Sequence, residues 1–225
     1  SDEAASIRSQ HFEFYLNLAH LAAPKLWGQD PVLLDQLEQE HGNSRAALQW
    51  AREQKDVEKL AQLTEALWIF WYMRGYGREG RQWLEAVLAQ QNHLSASMQA
   101  TMLTIYGALL YREGELEQAC RLNAEALALW RTLDDPGGTA WALSQQAETM
   151  LFQEDYLQAE KYWEESLMLT RQGTDKRDVG VSWVLYGLGN VVRLQGDYER
   201  AKTLFEEALA IAREIAYRDN IAWSL

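Results

Sequence analysis

The sequence has one cysteine and three prolines among its 225 residues, and both scarcities limit what the protein can be. The lone thiol, Cys120, excludes an internal disulfide and fits a reducing compartment. Pro24, Pro31 and Pro136 stand where helices are expected to end, so long helices can run between them.

Positive charge is also scarce, with 21 Lys and Arg against 33 Asp and Glu, a net charge of −12 and a pI near 4.8. An acidic surface repels phosphate backbones, so we expect no direct nucleic-acid binding by this segment. The chain has neither a charged-then-apolar N-terminal stretch nor an uncharged apolar run of membrane-spanning length. Composition therefore predicts a soluble, cytoplasmic protein that does not bind membranes.

One segment of the sequence recurs at a nearly constant interval. Leu185–Ala201 matches Leu143–Ala159 and Leu103–Ala119, and a degenerate copy runs from Thr64 to Gly80. The final residues of the four copies are 39, 40 and 42 residues apart. Such a period is typical of stacked helical hairpins, none of which can bury its apolar face alone. The sequence thus predicts an all-α fold, a right-handed superhelical solenoid of antiparallel helix pairs.

Helical periodicity gives the expected elements. Residues 5–23 form an amphipathic helix ended by Pro24, residues 27–31 form a turn, and a second helix covers about 33–51. The pairs that follow are expected at 57–73 with 78–90, 97–113 with 116–132, 138–153 with 156–172, and 178–195 with 198–215.

Two regions are predicted, an N-terminal helical pair at 1–56 and a repeat array at 57–225 of about four helix pairs plus the start of another. Residues 219–225 repeat the opening of earlier first helices, because Trp223-Ser-Leu follows the pattern of Trp183-Val-Leu. We therefore expect the chain to be part of a longer protein, with exposed repeat ends through which it could self-associate.

The repeats resemble a known family. A leucine at the fourth position, Gly or Ala at the eighth (Gly107, Ala147, Gly189) and Gly-Asp-Tyr at the turn look like the tetratricopeptide repeat. The period of 40–42 residues resembles the longer variant found in kinesin light chains and bacterial regulators. Such arrays bind proteins or peptides, and no catalysis is implied.

The N-terminal part carries a second resemblance, through His11–Ala19, Leu34–Leu48, Ala66–Gly75 and Glu79–Glu85. These stretches are similar to the segment that joins the ATPase module of bacterial signal-transduction ATPases, including large ATP-binding LuxR-type regulators, to their repeat arrays. The resemblance implies the sensor region of a larger signalling ATPase or transcriptional regulator. A stand-alone adaptor that scaffolds proteins through an extended peptide is the alternative.

In this family the first helix of each pair lines a concave groove that holds a protein or peptide, or a small effector. The family's frequent Asn pair is replaced here by Ser144-Gln145 and Tyr186-Gly187, so its ligand preference does not carry over. The Trp residues either line the groove or pack between repeats, whereas a groove role is favoured for Asn190 and Arg193. The groove-lining positions correspond to Tyr111, Arg112, Trp141, Ser144, Gln145, Glu148, Trp183, Tyr186, Asn190 and Arg193.

Motifs that suggest chemistry have simpler interpretations. Gly75–Gly80 spells a dinucleotide fingerprint, but a helical segment precedes it where a strand is required, and it aligns with the turns of other repeats. Glu38-x-x-His41 lacks the second copy of a di-iron site. The acidic pairs Glu164-Glu165 and Glu206-Glu207 fit a solvated face. We therefore expect no metal, no cofactor and no enzymatic activity.

Overall fold

The computed structural model describes residues 2–26, 31–173 and 179–214, nearly all of them helical. Most of the predicted turn at 27–31 and the predicted further helix at 219–225 lie outside these ranges. The chain divides into two compact units, Ser1–Ile105 and Tyr106–Leu225. No helix within the described ranges is long and apolar enough to cross a membrane.

The first unit consists of helices that pack around one apolar core. The N-terminal helix α1 contacts α2, α3 and α4, and α4 contacts α5. Residues 1–56 therefore share a core with the first repeat-like pair, and the division at 56/57 stays a prediction about sequence pattern. The helices of this unit are α1 (Asp2–Leu26), α2 (Pro31–Gln39), α3 (His41–Glu53), α4 (Val57–Arg74), α5 (Gly77–Leu88) and the start of α6 (Ala96–Glu113), with a 3₁₀ turn at Gln91–His93.

Two boundaries differ from the prediction in this unit. Helix α1 continues through Pro24 to Leu26, whose fully buried side chain anchors the last turn in the core. The single helix expected at 33–51 is two, because the chain turns at Glu40 before the poor helix formers Gly42 and Asn43.

His41 is a packing residue, as its surroundings make clear. Its buried ring lies 5.1 Å from the Phe70 ring and 4.4 Å from the Tyr76 ring, and its Nε2 is 3.0 Å from a Glu79 carboxylate oxygen. Arg45 also donates to Glu79, so one carboxylate ties α3 to α5. Within the described ranges, no group of three or more His, Cys, Asp or Glu could hold a metal ion.

The second unit alternates first and second helices of the repeat. Each neighbouring pair from α7 to α11 is in contact, and α8 also touches α10. The predicted all-α architecture of repeated helix pairs is confirmed, with most helix ends within one or two residues of the expected positions. Its elements are the remainder of α6, α7 (Leu116–Thr132), α8 (Pro136–Phe152), α9 (Tyr156–Gly173), α10 (Val179–Leu194) and α11 (Tyr198–Glu214).

In the turn of each helix pair, one residue has a left-handed backbone conformation. Gly75, Gly114 and Gly196 have φ of 78°, 84° and 91°, the region that glycine enters without steric cost. Gly75 directly follows α4 and α5 begins at Gly77, so the inter-helix turn consists of Gly75 and Tyr76, and Gly77–Gly80 form the first turn of α5. In the remaining pair the corresponding residue is Glu154, with φ of 60°.

Small residues allow the helices of the second unit to approach closely. The alanines that end three of the repeated segments, Ala119, Ala159 and Ala201, are all buried, and we call them the repeat anchors. A Cβ placed on Gly187 would lie 2.4 Å from the Trp163 ring, and one on Gly189 would lie 2.7 Å from the Phe205 ring. These large rings fill the space that the glycines leave, so the helices pack closely there.

The acidic pairs on the second helices are exposed or nearly so, as predicted, but they are not isolated charges. Glu165 pairs with Arg131 at 2.7 Å and Glu207 pairs with Arg171 at 2.5 Å. These two contacts repeat the same link between successive second helices. Exposed pairs of this kind contribute at most about 1 kcal/mol each.

A candidate peptide-binding face on the first helices

Helix α8 presents a row of partly exposed side chains. The carboxylate of Asp135 accepts a hydrogen bond from the Gly138 N–H at 2.8 Å, and Pro136 occupies the first turn, so the helix start is well defined. Residues three and four apart lie on one side of a helix, which places Trp141, Gln145, Glu148 and Phe152 in a single row. The first three are half-buried and Phe152 is 58% exposed.

Tyr111, near the end of α6, joins this row. Its ring meets that of Phe152 edge to face, with centroids 5.3 Å apart. Burial raises the pKa of the Glu148 carboxyl group to about 7, although a hydrogen bond from Tyr111 acts in the opposite direction. Glu148 can therefore exchange a proton near neutral pH and can either donate or accept a hydrogen bond.

Ser144 does not belong to this row. It is only 3% exposed, and its hydroxyl is 2.9 Å from the Ser166 hydroxyl in the interface between α8 and α9. Ser166 also donates to the Ala140 carbonyl at 2.8 Å. Ser144 is therefore a packing residue between α8 and α9, because its small side chain is buried against Ser166.

Helix α10 presents a second row, in which Trp183 and Asn190 stand 42 residues after Trp141 and Glu148. Tyr186 stands at the position of Ser144, and its ring lies 5.9 Å from that of Phe205 on α11. Trp183 and Tyr186 are half-buried, with ring centroids 6.2 Å apart, and both pack on the buried core of the second unit. Trp183 therefore combines both interpretations considered for the Trp residues, packing on the core and keeping part of its surface accessible. The Asn190 amide donates to the Tyr186 carbonyl at 3.2 Å, which holds this partly exposed side chain against its own helix.

The two arginines of the predicted set occupy different places. Arg112 is exposed near the end of α6. Arg193 is exposed near the end of α10 and borders a cavity of about 350 Å³. Tyr198, Lys202 and Phe205 of α11 also line this cavity. Arg193 thus lies at one end of the α10 row, where that row meets the cavity.

We call the following set the first-helix face: Tyr111, Trp141, Gln145, Glu148, Phe152, Trp183, Tyr186 and Asn190. The repeat pattern did not indicate Phe152, although a large apolar residue next to a turn is a usable signal.

The repeat pattern also gave no indication of a buried polar cluster behind the face. There the Asn123 amide donates to the Gln145 carbonyl at 3.2 Å, and the Gln146 amide lies 3.4 Å from the Cys120 sulfur.

The fold and this face define an all-α repeat protein built from antiparallel helix pairs. The tetratricopeptide repeat model matches residues 98–172 and 138–214, together just over half of the chain. The chain belongs to the tetratricopeptide repeat family.

Similarity to known protein sequences extends over a shorter stretch of the chain. Proteins named as HTH-type transcriptional regulators in Mycobacterium tuberculosis and Mycobacterium bovis are 30% identical to this chain over 87 residues. That stretch is 39% of this chain and only 10% of each relative.

Solved structures share the fold across most of the chain. BtubC from P. vanneervenii superposes with a TM-score of 0.66 at 20% identity, over 93% of this chain and 90% of that one. The apo form of RapI gives 0.69 at 14% identity, over 90% and 70% of the two chains. PilF of Pseudomonas aeruginosa gives 0.60 at 17% identity, over 96% and 90%. At these identities the likeness concerns the fold alone.

Proposed function

We propose that this chain is a non-catalytic binding and sensor region of a larger bacterial signalling ATPase or transcriptional regulator. The first-helix face carries the proposal. Two neighbouring helices, α8 and α10, present aromatic and polar side chains, at matching positions for Trp141 with Trp183 and for Glu148 with Asn190. Glu148 is also linked to Tyr111 of α6 by a hydrogen bond. The ligand is a protein segment or an extended peptide lying across these helices.

The chemistry of the face suits a peptide. Trp141 and Phe152 offer partly exposed rings to apolar side chains, and aromatic anchors commonly dominate binding energy. Asn190 and Gln145 carry amides that can pair with a peptide backbone, which needs both a donor and an acceptor. Arg193, at the end of the α10 row, can bind a carboxylate with two parallel hydrogen bonds.

Binding can be tested with peptides selected by display against the purified chain. Changing Asn190→Ala together with Arg193→Ala should weaken the selected peptides by about tenfold or more, since truncation of a good anchor costs about 2 kcal/mol. The helical circular dichroism signal should stay unchanged, because both side chains are partly or fully exposed.

The matched control is Arg121→Ala with Glu125→Ala, two exposed residues on the second helix α7. This control should bind the peptides like the parent protein. Unchanged affinity in the Asn190 and Arg193 variant, or equal loss in the control, would place the site elsewhere and contradict the proposal.

The larger protein is supported by two observations. Residues 11–85 are similar to the segment that follows the ATPase module in bacterial signal-transduction ATPases. The mycobacterial relatives are named as transcriptional regulators and are about ten times longer than the matched stretch. The gene should encode an ATP-binding module upstream of the codon for Ser1, and sequencing of the locus tests this. A reading frame that starts within a few codons of Ser1 would instead favour the stand-alone adaptor.

A small effector is a second candidate ligand, favoured by the cavity beside Arg193. Its volume of about 350 Å³ falls at the lower end of the range for small-molecule sites. Arg193 and Lys202 line the cavity together with Glu206, whose carboxylate lies 3.9 Å from the Lys202 amine. The lining therefore carries one net positive charge, which would suit a small anionic effector. An effector that stabilises the parent protein in thermal melts but not the Lys202→Ala variant would identify this site.

A further inference from the structure

Helix α1 is apolar on two opposite sides. One side packs into the first unit through residues that include Phe12, Ala19 and Leu26, all buried. The other side carries Ile7, Phe14 and Leu21, which are 60%, 61% and 70% exposed. A single exposed apolar residue is ordinary, but three in register on one helix indicate a contact surface.

The three exposed residues form a straight row, which we call the α1 stripe. They are seven residues apart, so successive members are displaced by only about 20° around the helix. The distance along the axis from Ile7 to Leu21 is roughly 21 Å at 1.5 Å per residue. Exposed charges of opposite sign lie one turn beyond its ends, at Glu3 and Lys25.

We propose that the α1 stripe pairs with the α1 stripe of a second copy of this chain, antiparallel and about a twofold axis at Phe14. Ile7 and Leu21 are equally far from Phe14 along the helix, and so are Glu3 and Lys25. In the antiparallel pair, Phe14 meets Phe14, Ile7 meets Leu21, and each Glu3 meets a Lys25. This is the self-complementary contact that a twofold dimer requires.

The charges decide the direction of pairing. A parallel pair would place Glu3 against Glu3 and Lys25 against Lys25, which repel, whereas the antiparallel pair makes two attractive contacts. The α1 stripe has three apolar residues over roughly 21 Å, so we expect a contact through it alone to be smaller than the roughly 1,200 Å² of a stable dimer. The dimer is therefore weak and forms as concentration rises. The inference is independent of the proposed ligand-binding role.

Sedimentation equilibrium over a wide range of protein concentration tests the association. The parent protein should pass from monomer to dimer, and Phe14→Glu should remain monomeric across the whole range, because two carboxylates would meet at the axis. Leu157→Glu is the matched control, since Leu157 is 71% exposed but lies on α9 in the second unit. This control should dimerise like the parent. A monomeric parent, or a Phe14→Glu variant that still dimerises, would overturn the proposal.

Cysteine cross-linking tests the direction. In a Cys120→Ser background, Phe14→Cys should form a disulfide-linked dimer with itself on mild oxidation. A mixture of Ile7→Cys and Leu21→Cys proteins should form the mixed dimer, while Ile7→Cys alone should give little product. Cross-linking of Ile7→Cys with itself as efficiently as in the mixture would show parallel pairing and overturn the antiparallel arrangement.

Discussion

The hydroxyl group of Tyr111 donates a hydrogen bond to the carboxyl group of Glu148, and this contact links the last turn of α6 to the C-terminal part of α8. The two residues belong to successive first helices, so the bond crosses from one repeat to the next. The hydrogen bond lowers the pKa of Glu148 by less than burial raises it, so the pKa lies at about 7. The face proposed to bind ligand thus contains a carboxyl group that folding holds in a costly charged state above neutral pH.

This carboxyl group should make stability depend on pH. The pKa of Glu148 lies near 7 in the folded protein and near its ordinary value of 4.5 in the unfolded chain. Between these values the folded state binds more protons, so its contribution to the unfolding free energy falls as pH rises through this window. Glu148→Gln should match the parent at pH 4 and exceed it by roughly 3 kcal/mol above pH 7, because each unit of pKa shift corresponds to about 1.4 kcal/mol.

Urea denaturation at several pH values measures the effect of Glu148→Gln. The control is Glu125→Gln, which removes an exposed carboxylate on α7 and should leave the pH profile of the parent nearly unchanged. A constant difference between Glu148→Gln and the parent at every pH would contradict the raised pKa.

Ser166 provides a test of the contact between α8 and α9. Its buried hydroxyl donates to the Ala140 carbonyl and lies 2.9 Å from the Ser144 hydroxyl. Ser166→Ala should lower the unfolding free energy by about 1–2 kcal/mol, because Ser144 then loses one buried partner. Thr203→Ala, which changes an exposed hydroxyl on α11, should change stability by less than about 0.5 kcal/mol. Equal effects of the two changes would contradict this account.

Sequence periodicity predicted the repeat architecture well, for a physical reason. Anchors such as Ala159 and Ala201 are constrained by close helix packing, and this constraint is visible as a small residue at a fixed interval. Glycines with positive φ, such as Gly114 and Gly196, mark turns in the same way. Local patterns failed where tertiary contacts decide, as at Pro24, where burial of Leu26 carries α1 onward.

The candidate site was less predictable than the fold. A repeat register identifies the side of a helix only to within about one residue, so it predicts a groove position for Ser144, which contacts α9 in the structure. The link between Tyr111 and Glu148 depends on how α6 and α8 sit side by side, and no local pattern reports that distance. The positions of Tyr111 and Glu148 in the first-helix face follow from the structure, and the role of these two residues in binding stays a proposal.

Overpacking at an anchor tests the repeat register directly. Ala159 is fully buried on α9, so Ala159→Leu should force neighbouring helices apart and cost roughly 1–3 kcal/mol. Calorimetry of this variant is compared with that of Gln172→Leu, which places the same side chain at an exposed position near the end of α9. A neutral Ala159→Leu change would mean that the anchor is not tightly packed.

The turn between α8 and α9 offers the opposite kind of change, a predicted stabilisation. Glu154 adopts a φ of 60° at the position where the neighbouring repeats have Gly114 and Gly196. A residue with a Cβ is strained there by roughly 1 kcal/mol, and glycine relieves the strain at some cost in the entropy of the unfolded chain. Glu154→Gly should therefore raise the unfolding free energy by about 0.5 kcal/mol, while Gly196→Ala should lower it by about 1 kcal/mol. Urea denaturation of both variants decides the matter, since destabilisation by Glu154→Gly would show that the glutamate side chain contributes more than the left-handed backbone costs.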